Sequence, residues 1–398
     1  MLGKVTMTTA LVLLTTLSSM LSLAETADVK CNVTSAFGDR DIDLPQDLEK
    51  HESALLLLLG FGSLSILLAL LYVGIRRYIF EDVNNVDSSF DAGGNVSTSL
   101  TAVTIAAQLL WPGDLMQSVT VAVKFGIAGC FWYCSGALIN LALFPLLSFK
   151  FKTRAPGAKT YLQVILARFG RPAHSVFCFF ALLVNVLILS TILVGGVAVV
   201  QSTTKDASPE FCILVLVTLC GSYSFIGGLG STFYVSYFNA LTTFVVLSYL
   251  VLSMFYLDDL PFGDLEEIYN KVNCLPDVEG NTDGSYFTFL SEGAVIFGLS
   301  SIFLVTSITY CDQASWQSRI AARPLQGALG FLLGGFIWFS VPATIGTAAG
   351  VTYLAVSATD PDSLLSEAQV NSGIVSTFMS EKALGKQGSI LMLTMDLS

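Results

Sequence analysis

The chain has 398 residues, of which 53% are apolar and only 12% are charged, and its formal net charge is −11. Soluble proteins usually carry about a quarter charged residues, so the composition excludes an ordinary soluble protein and favours one that has lipid as its solvent. The negative charge excludes nucleic acid as a partner, because binding phosphates requires clustered Lys and Arg.

The first 24 residues have the pattern of a signal peptide. Lys4 precedes an apolar stretch, and Ser22-Leu23-Ala24 fits the small-x-small rule for cleavage. The alternative is an uncleaved first helix, because the stretch is close to spanning length. We predict that residues 25–52 form a polar extracellular segment, in which Asn32 is a glycosylation acceptor.

The rest of the chain, residues 53–398, is predicted to be one membrane domain of helices. Its apolar stretches have about the 20 residues that cross a bilayer core. The stretches lie near 53–75, 98–123, 127–149, 174–200, 211–226, 231–257, 289–311 and 326–356, and a ninth begins near Gly388. The fold class is therefore an all-α multi-pass membrane protein.

The loops between these stretches alternate in charge. Basic residues cluster between Lys150 and Arg171, so the positive-inside rule places the loop 150–173 in the cytoplasm. Counting spans then places the N-terminal segment and the acidic loop 258–288 outside the cell. Cys31 and Cys274 lie in these two outer segments, where disulfides persist, and we predict that they pair.

Two further patterns exclude soluble chemistry. Gly227-Gly228-Leu229-Gly230 resembles a phosphate-binding loop, but no strand precedes it, and we interpret it as a tight turn between two helices. The chain has only two His and no C-x-x-C pair, so we predict no metal site. An enzyme is excluded because no nucleophile has a base or metal ligands nearby.

The second span contains Pro112 and Gly113, which predict a break in its helix near mid-membrane. Asp114 lies within this break. A carboxylate in a span costs roughly 2.5–3.5 kcal/mol on insertion scales, so we predict that it faces a cavity as a ligand for a cation, a proton or a solute. The alternative is a proline kink in which Asp114 reaches the outer interface.

The seventh span contains Phe297-Gly298-Leu299-Ser300-Ser301. We predict a second helix break at Gly298, with Ser300 and Ser301 as oxygen ligands, although small residues also serve plain helix packing. Two interrupted spans, five apart, are typical of transporters that are built from inverted repeats.

Several motifs, in order, resemble the sodium:solute symporter family and, within it, the branch of active urea and polyamine transporters. They are Trp111, Gln117-Ser118, residues 126–137 (GIAGCFWYCSGA), Gly227-Gly228-Leu229 with Ser236-Tyr237, and residues 312–322 (DQASWQSRIAA). Ser236 stands where sugar, proline and vitamin symporters of the family carry Asp, which favours the urea branch.

This resemblance implies a LeuT-type inverted-repeat core with one extra N-terminal helix. Residues 98–257 would form the first repeat and residues 289–398 an incomplete second repeat, since the chain stops within the eighth core helix. The implied function is uptake of urea or a related small polar solute across the plasma membrane by alternating access. The co-transported cation would be Na+ or H+, and no other cofactor is implied.

The resemblance also implies site residues. The cation site would include backbone carbonyls near Ala107 and Leu110, with Asp114 as an added ligand, together with hydroxyls of the eighth core helix. Solute contacts are predicted for Gln108, Trp111, Asp114, Gln117, Ser300 and Ser301.

Two departures from the family leave alternatives open. Pro112-Gly113-Asp114 replaces a run that is usually small and uncharged, which gives weight to polyamines or another organic solute. The eighth core helix is supplied only from Gly388 to Ser398, so we expect that these 398 residues do not transport by themselves. The product would then be a non-transporting fragment or isoform.

Overall fold

The computed structural model describes residues 35–44, 46–78, 97–256, 261–320 and 322–396. Within these ranges the protein consists of helices and loops, and its few β contacts are isolated bridges. The helices are α1 (Lys50–Tyr78), α2 (Thr98–Leu109), α3 (Pro112–Phe125), α4 (Ile127–Arg154), α5 (Tyr161–Thr203), α6 (Pro209–Phe255), α7 (Leu265–Val272), α8 (Glu292–Cys311), α9 (Gln313–Ile320), α10 (Pro324–Thr359), α11 (Glu367–Asn371), α12 (Val375–Leu384) and α13 (Lys386–Asp396).

Among the described residues, six helices are long and apolar enough to cross a membrane: α1, α4, α5, α6, α8 and α10. Each of them carries exposed apolar side chains as well as buried ones, as in a multi-pass helical membrane protein. Helix α10 lies at the centre, because it packs against α2, α3 and α4. The signal-like residues 1–24, Cys31 and Asn32 lie outside the described residues, so the predictions for them stay predictions.

Helix α6 contains two spans rather than one. Its 47 residues would measure about 70 Å as one straight helix, more than twice the thickness of a bilayer core. The backbone leaves helical geometry at Gly228, which has φ 60° and ψ −160°. The Ser231 hydroxyl donates to the carbonyl of Tyr223, eight residues earlier, over 3.5 Å. The chain therefore reverses at the glycines 227–230, as the sequence predicted.

The break in the second span separates α2 from α3. Helix α2 ends at Leu109, and Trp111 is extended, with φ −87° and ψ 151°, as residues that precede proline prefer. Pro112 occupies the first position of α3, where its missing N–H costs no hydrogen bond. The predicted break is present, but it lies at Leu110 and Trp111, whereas Pro112 and Gly113 are themselves helical.

The second predicted break, at Gly298, is wrong, because α8 is an unbroken helix from Glu292 to Cys311. Gly298 instead allows α8 to approach α4 closely. A Cβ atom placed on Gly298 would lie 2.6 Å from the carbonyl oxygen of Trp132, and one placed on Gly136 would lie 2.2 Å from the carbonyl oxygen of Gly298. The two glycines thus face each other at a helix contact, which is the packing role of small residues in membranes.

The loops gather at two ends of the helix bundle. The acidic end comprises residues 35–44, 46–49, 201–208, 261–291 and 360–374, and Ala36, Phe262 and Tyr286 share one apolar cluster there. The basic end comprises residues 151–161, 223–231 and 310–320, where Tyr161 donates its hydroxyl proton to the carbonyl of Cys311. The N-terminal segment and the acidic loop therefore share one end, as the topology prediction requires, and the side that this end faces stays a prediction.

The N-terminal segment, described over residues 35–44 and 46–49, joins separate parts of the acidic end. Gly38 donates to the carbonyl of Leu365 over 2.9 Å, and Leu48 donates to Thr203 over 3.1 Å. The hydroxyl of the buried Tyr353 donates to the carbonyl of Ala36 over 3.2 Å. The segment thus connects the α5–α6 loop to the loop that follows α10.

Cys274 also lies at the acidic end, in the turn that follows α7, and it is disulfide-bonded. The predicted partner, Cys31, lies outside the described residues, so the Cys31–Cys274 pairing stays a prediction.

Glu381, on α12, is expected to make stability depend on pH. Burial, with Asp47 as a smaller cause, raises the pKa of Glu381 from 4.5 to about 7. The folded state therefore favours the protonated form, and this stabilisation is complete below pH 4.5 and disappears as pH rises through about 7. We expect Glu381→Gln to raise the melting temperature at about pH 8 more than at about pH 5. A gain of equal size at both pH values, or a gain in the exposed control Glu279→Gln, would contradict this account.

Candidate functional site

A cavity of about 620 Å³ lies beside the helix break. Residues of α3, α4, α5, α8, α10 and the loop that follows α11 line it, and one side of it is open. Its polar lining residues include Asp114, Gln117, Thr120, Tyr133, Thr191, Ser301, Ser307, Asn371 and Ser372. Much of the remaining lining is apolar, which is typical of small-molecule sites.

Asp114 is held in the first turn of α3 by groups on both of its carboxylate oxygens. The hydroxyl of Tyr133 donates to Oδ1 over 2.7 Å, and the backbone N–H of Trp111 donates to Oδ2 over 3.3 Å. Tyr133 is a buried residue of α4, only 7% exposed. The break therefore positions the carboxylate in two ways. It supplies the N–H of Trp111 as a donor, and it places the first turn of α3 opposite Tyr133 on α4.

Four of the predicted site residues line this cavity: Trp111, Asp114, Gln117 and Ser301. Asp114 and Gln117 are three residues apart on α3 and so share one face. Ser300 is exposed on another face of α8, where its hydroxyl donates to the carbonyl of Ile296. It does not line this cavity, and its contact with a solute stays a prediction. Ser301 is buried, and its hydroxyl donates to Phe297 over 3.0 Å.

The other predicted residues lie on the opposite side of the break. Ala107 and Leu110 line a small separate space against α6 and α10, and Asp114 is not among its lining residues. The structure therefore does not bring the three predicted cation ligands together. The side chain of Gln108 points toward the basic end and accepts a hydrogen bond from Ser318, on α9, over 2.6 Å, which makes it a link between helices rather than a lining residue of the cavity.

Indole groups satisfy the carbonyls that the break releases. The indole N–H of Trp111 donates to the carbonyl of Gln108 over 2.9 Å, and that of Trp338 donates to Leu109 over 2.7 Å. Sequence reasoning identified Trp111 as a residue of the break but not as a donor to it, and it missed both Trp338 and Tyr133. An indole N–H or a phenol hydroxyl in an apolar span needs a hydrogen-bond partner. That requirement was the signal that could have identified Trp338 and Tyr133.

This arrangement can bind small molecules. Among the described residues, no group of three or more His, Cys, Asp or Glu is placed to hold a metal ion. The cavity instead combines one carboxylate with neutral donors and acceptors, which suits a small polar or cationic solute.

No protein-family model matches the chain, but several curated proteins are similar to it. The urea-proton symporter DUR3 of Oryza sativa subsp. japonica is 34% identical over 357 residues, which cover 85% of this chain and 48% of that protein. A probable urea active transporter 1 of Schizosaccharomyces pombe is 31% identical, covering 83% of this chain and 50% of that protein. The urea active transporter of Saccharomyces cerevisiae is 28% identical, covering 85% and 47%. The chain thus spans about half the length of the curated relatives it matches.

The fold is similar to that of a solved structure of a Na+-coupled sialic acid symporter in a substrate-bound, outward-open state. The two share a TM-score of 0.50 at 13% identity, and the match covers 87% of this chain and 80% of the other. At this identity the likeness concerns the fold alone. The curated relatives are transporters rather than enzymes. Their similarity over most of this chain, together with the shared fold, agrees with the resemblance of the sequence motifs to the sodium:solute symporter family.

Proposed function

We propose that this protein carries the solute site of a cation-coupled urea transporter of the plasma membrane. The observation that supports the proposal is the cavity at the broken span, where Asp114, Gln117 and Tyr133 meet. Transporters bind solutes at such breaks because a discontinuous helix presents polar backbone at membrane depth. The names of the relatives in rice and yeast, which are urea transporters, agree with this chemistry.

The polar groups of the cavity match the two ends of a urea molecule. Urea is planar and offers N–H donors on one side and a carbonyl acceptor on the other. The carboxylate of Asp114 accepts from N–H groups, and the amide of Gln117 can donate to the carbonyl. The Gln117 side chain has no hydrogen bond to another described residue, so its amide remains available to a solute.

The coupling cation is part of the same proposal. Either Na+ or H+ fits a family of symporters, and the rice relative is named for the proton. Asp114 is the acidic residue that lines the cavity, so it is the candidate through which a cation and the solute influence each other there.

Urea binding tests the proposal on the chain as it exists. We expect the purified 398-residue chain in lipid nanodiscs to bind radiolabelled urea saturably. Replacing Gln117 with Leu removes one hydrogen bond and should weaken the affinity by about tenfold. The control Ser300→Ala changes a polar residue outside the cavity and should leave the affinity unchanged. Absence of saturable binding to a folded chain, or equal effects of the two variants, would contradict the proposal.

A further inference from the structure

The cavity beside the helix break lacks a positive charge. Asp114 is the one charged residue among the described residues that line it, and no Lys, Arg or His is among them. Both groups that bond to its carboxylate, the phenol of Tyr133 and the backbone N–H of Trp111, are neutral. A carboxylate at membrane depth normally faces an opposite charge, because a buried ion without one is costly.

The carboxylate of Asp114 also has unused acceptor capacity toward the cavity. An ionised carboxylate offers about four lone-pair sites, and the two bonds described above use one on each oxygen. The bond from Trp111 is long, at 3.3 Å, so Oδ2 is only weakly satisfied. A ligand with two parallel N–H groups can therefore bind both oxygens at once, as guanidinium groups do with carboxylates.

The rest of the lining limits the charge and shape of such a ligand. Leu187, Val194 and Leu304 are apolar lining residues at the open side of the cavity, each more than half exposed. The other acidic residues of the described chain lie outside the lining. A second positive charge on the ligand would face apolar side chains without a partner, at a considerable desolvation cost. The cavity therefore suits one planar cationic head with a short alkyl tail better than it suits a polyamine.

We propose that Asp114 binds the head group of an organic monocation that carries a guanidinium or amidinium group. Guanidinium has the planar shape of urea, but it adds the positive charge that the cavity lacks and the N–H pair that a carboxylate binds. The inference rests on the proposed function only in that the two ligands share one cavity. It differs from the proposed function because it pairs the negative charge of Asp114 with a positive charge on the solute itself.

The test compares two ligands of nearly equal shape, n-propylguanidinium and its neutral analogue n-propylurea. Both are titrated into the purified chain in nanodiscs by calorimetry at constant ionic strength. We expect propylguanidinium to bind more tightly than propylurea. Asp114→Asn keeps the shape of the side chain and removes its charge. It should weaken the affinity for propylguanidinium by about 30-fold or more, while the affinity for propylurea changes only a few-fold. Glu279→Gln removes a charge outside the cavity lining, and it should not change the affinity for either ligand.

A second variant guards against loss of the fold. Tyr133→Phe keeps the carboxylate and removes a competing donor, so it should retain the preference for propylguanidinium. This result can be measured even if Asp114→Asn does not fold. Agmatine, which adds an ammonium group to an alkylguanidinium, should bind more weakly than propylguanidinium.

The results separate this inference from the proposed function. Equal weakening of both ligands by Asp114→Asn, loss of the preference in Tyr133→Phe, or tighter binding of agmatine would overturn the inference. The inference would also be overturned if propylguanidinium did not bind and Asp114→Asn altered only the proton dependence of urea binding. If urea does not bind but propylguanidinium binds through Asp114, the proposed function fails and the inference stands.

Discussion

A Gly126→Ala variant is expected to unfold at a much lower temperature than the wild-type chain. Gly126 joins α3 to α4 with φ 70° and ψ −151°, a backbone conformation that is essentially confined to glycine. A Cβ atom there would lie 1.9 Å from the carbonyl oxygen of Tyr286, which is backbone and cannot rotate away. The same carbonyl accepts a hydrogen bond from the N–H of Ile127 over 2.9 Å, so the acidic loop would lose this bond to the turn.

We estimate the loss at about 2–6 kcal/mol of unfolding free energy, since backbone strain and overpacking add together here. Thermal unfolding in detergent, followed by tryptophan fluorescence, measures it. The matched control is Gly74→Ala in α1, where the new Cβ atom would have nothing within 4 Å beyond the backbone of its own helical turns and alanine favours the helix. A Gly126→Ala protein as stable as the control would show that the acidic loop adjusts freely to α3 and α4.

Replacing Gly298 with Ala is expected to separate α8 from α4 and to cost about 1–3 kcal/mol. The sign of this change distinguishes the two interpretations of Gly298. If the glycine served to bend α8, alanine would stabilise the helix by about 0.8–1.0 kcal/mol. Because the new Cβ atom would lie 2.6 Å from the backbone oxygen of Trp132, we expect destabilisation instead.

Thermal unfolding of Gly298→Ala, compared with Ser300→Ala, measures this effect on one helix. Ser300 is exposed and bonds only within its own helix, so its variant should be close to neutral. A Gly298→Ala protein more stable than wild type would restore the hypothesis of a bend.

The spans and the first break could be predicted because they follow from local chemistry. Apolar runs of spanning length mark helices in lipid, and the turn at Gly228 and the break before Pro112 depend on residues within a few positions of each other. The role of Gly298 could not be predicted in this way. A glycine that bends a helix and a glycine that admits a neighbouring helix look the same until the neighbour, Gly136, is known.

The candidate site was predictable only in part, for a related reason. A helix in lipid can be apolar on every side, so the sequence of α8 does not indicate which of Ser300 and Ser301 faces the protein. The partner of Asp114 lies 19 residues away on another helix, and no local pattern connects the two. Asp114 itself was predictable, because a carboxylate within an apolar span has few physically acceptable surroundings.

The hydrogen bond from Trp338 to the carbonyl of Leu109 joins α10 to the broken end of α2. It lies between two helices, so any rigid-body displacement of α10 that stretches it leaves a bare carbonyl at membrane depth. Such an oxygen needs a replacement donor or a positive ion at once, because an unsatisfied backbone group there costs several kcal/mol. Water or an ion that arrives at Leu109 would therefore lower the barrier to that displacement, so that wetting of the break and movement of α10 occur together.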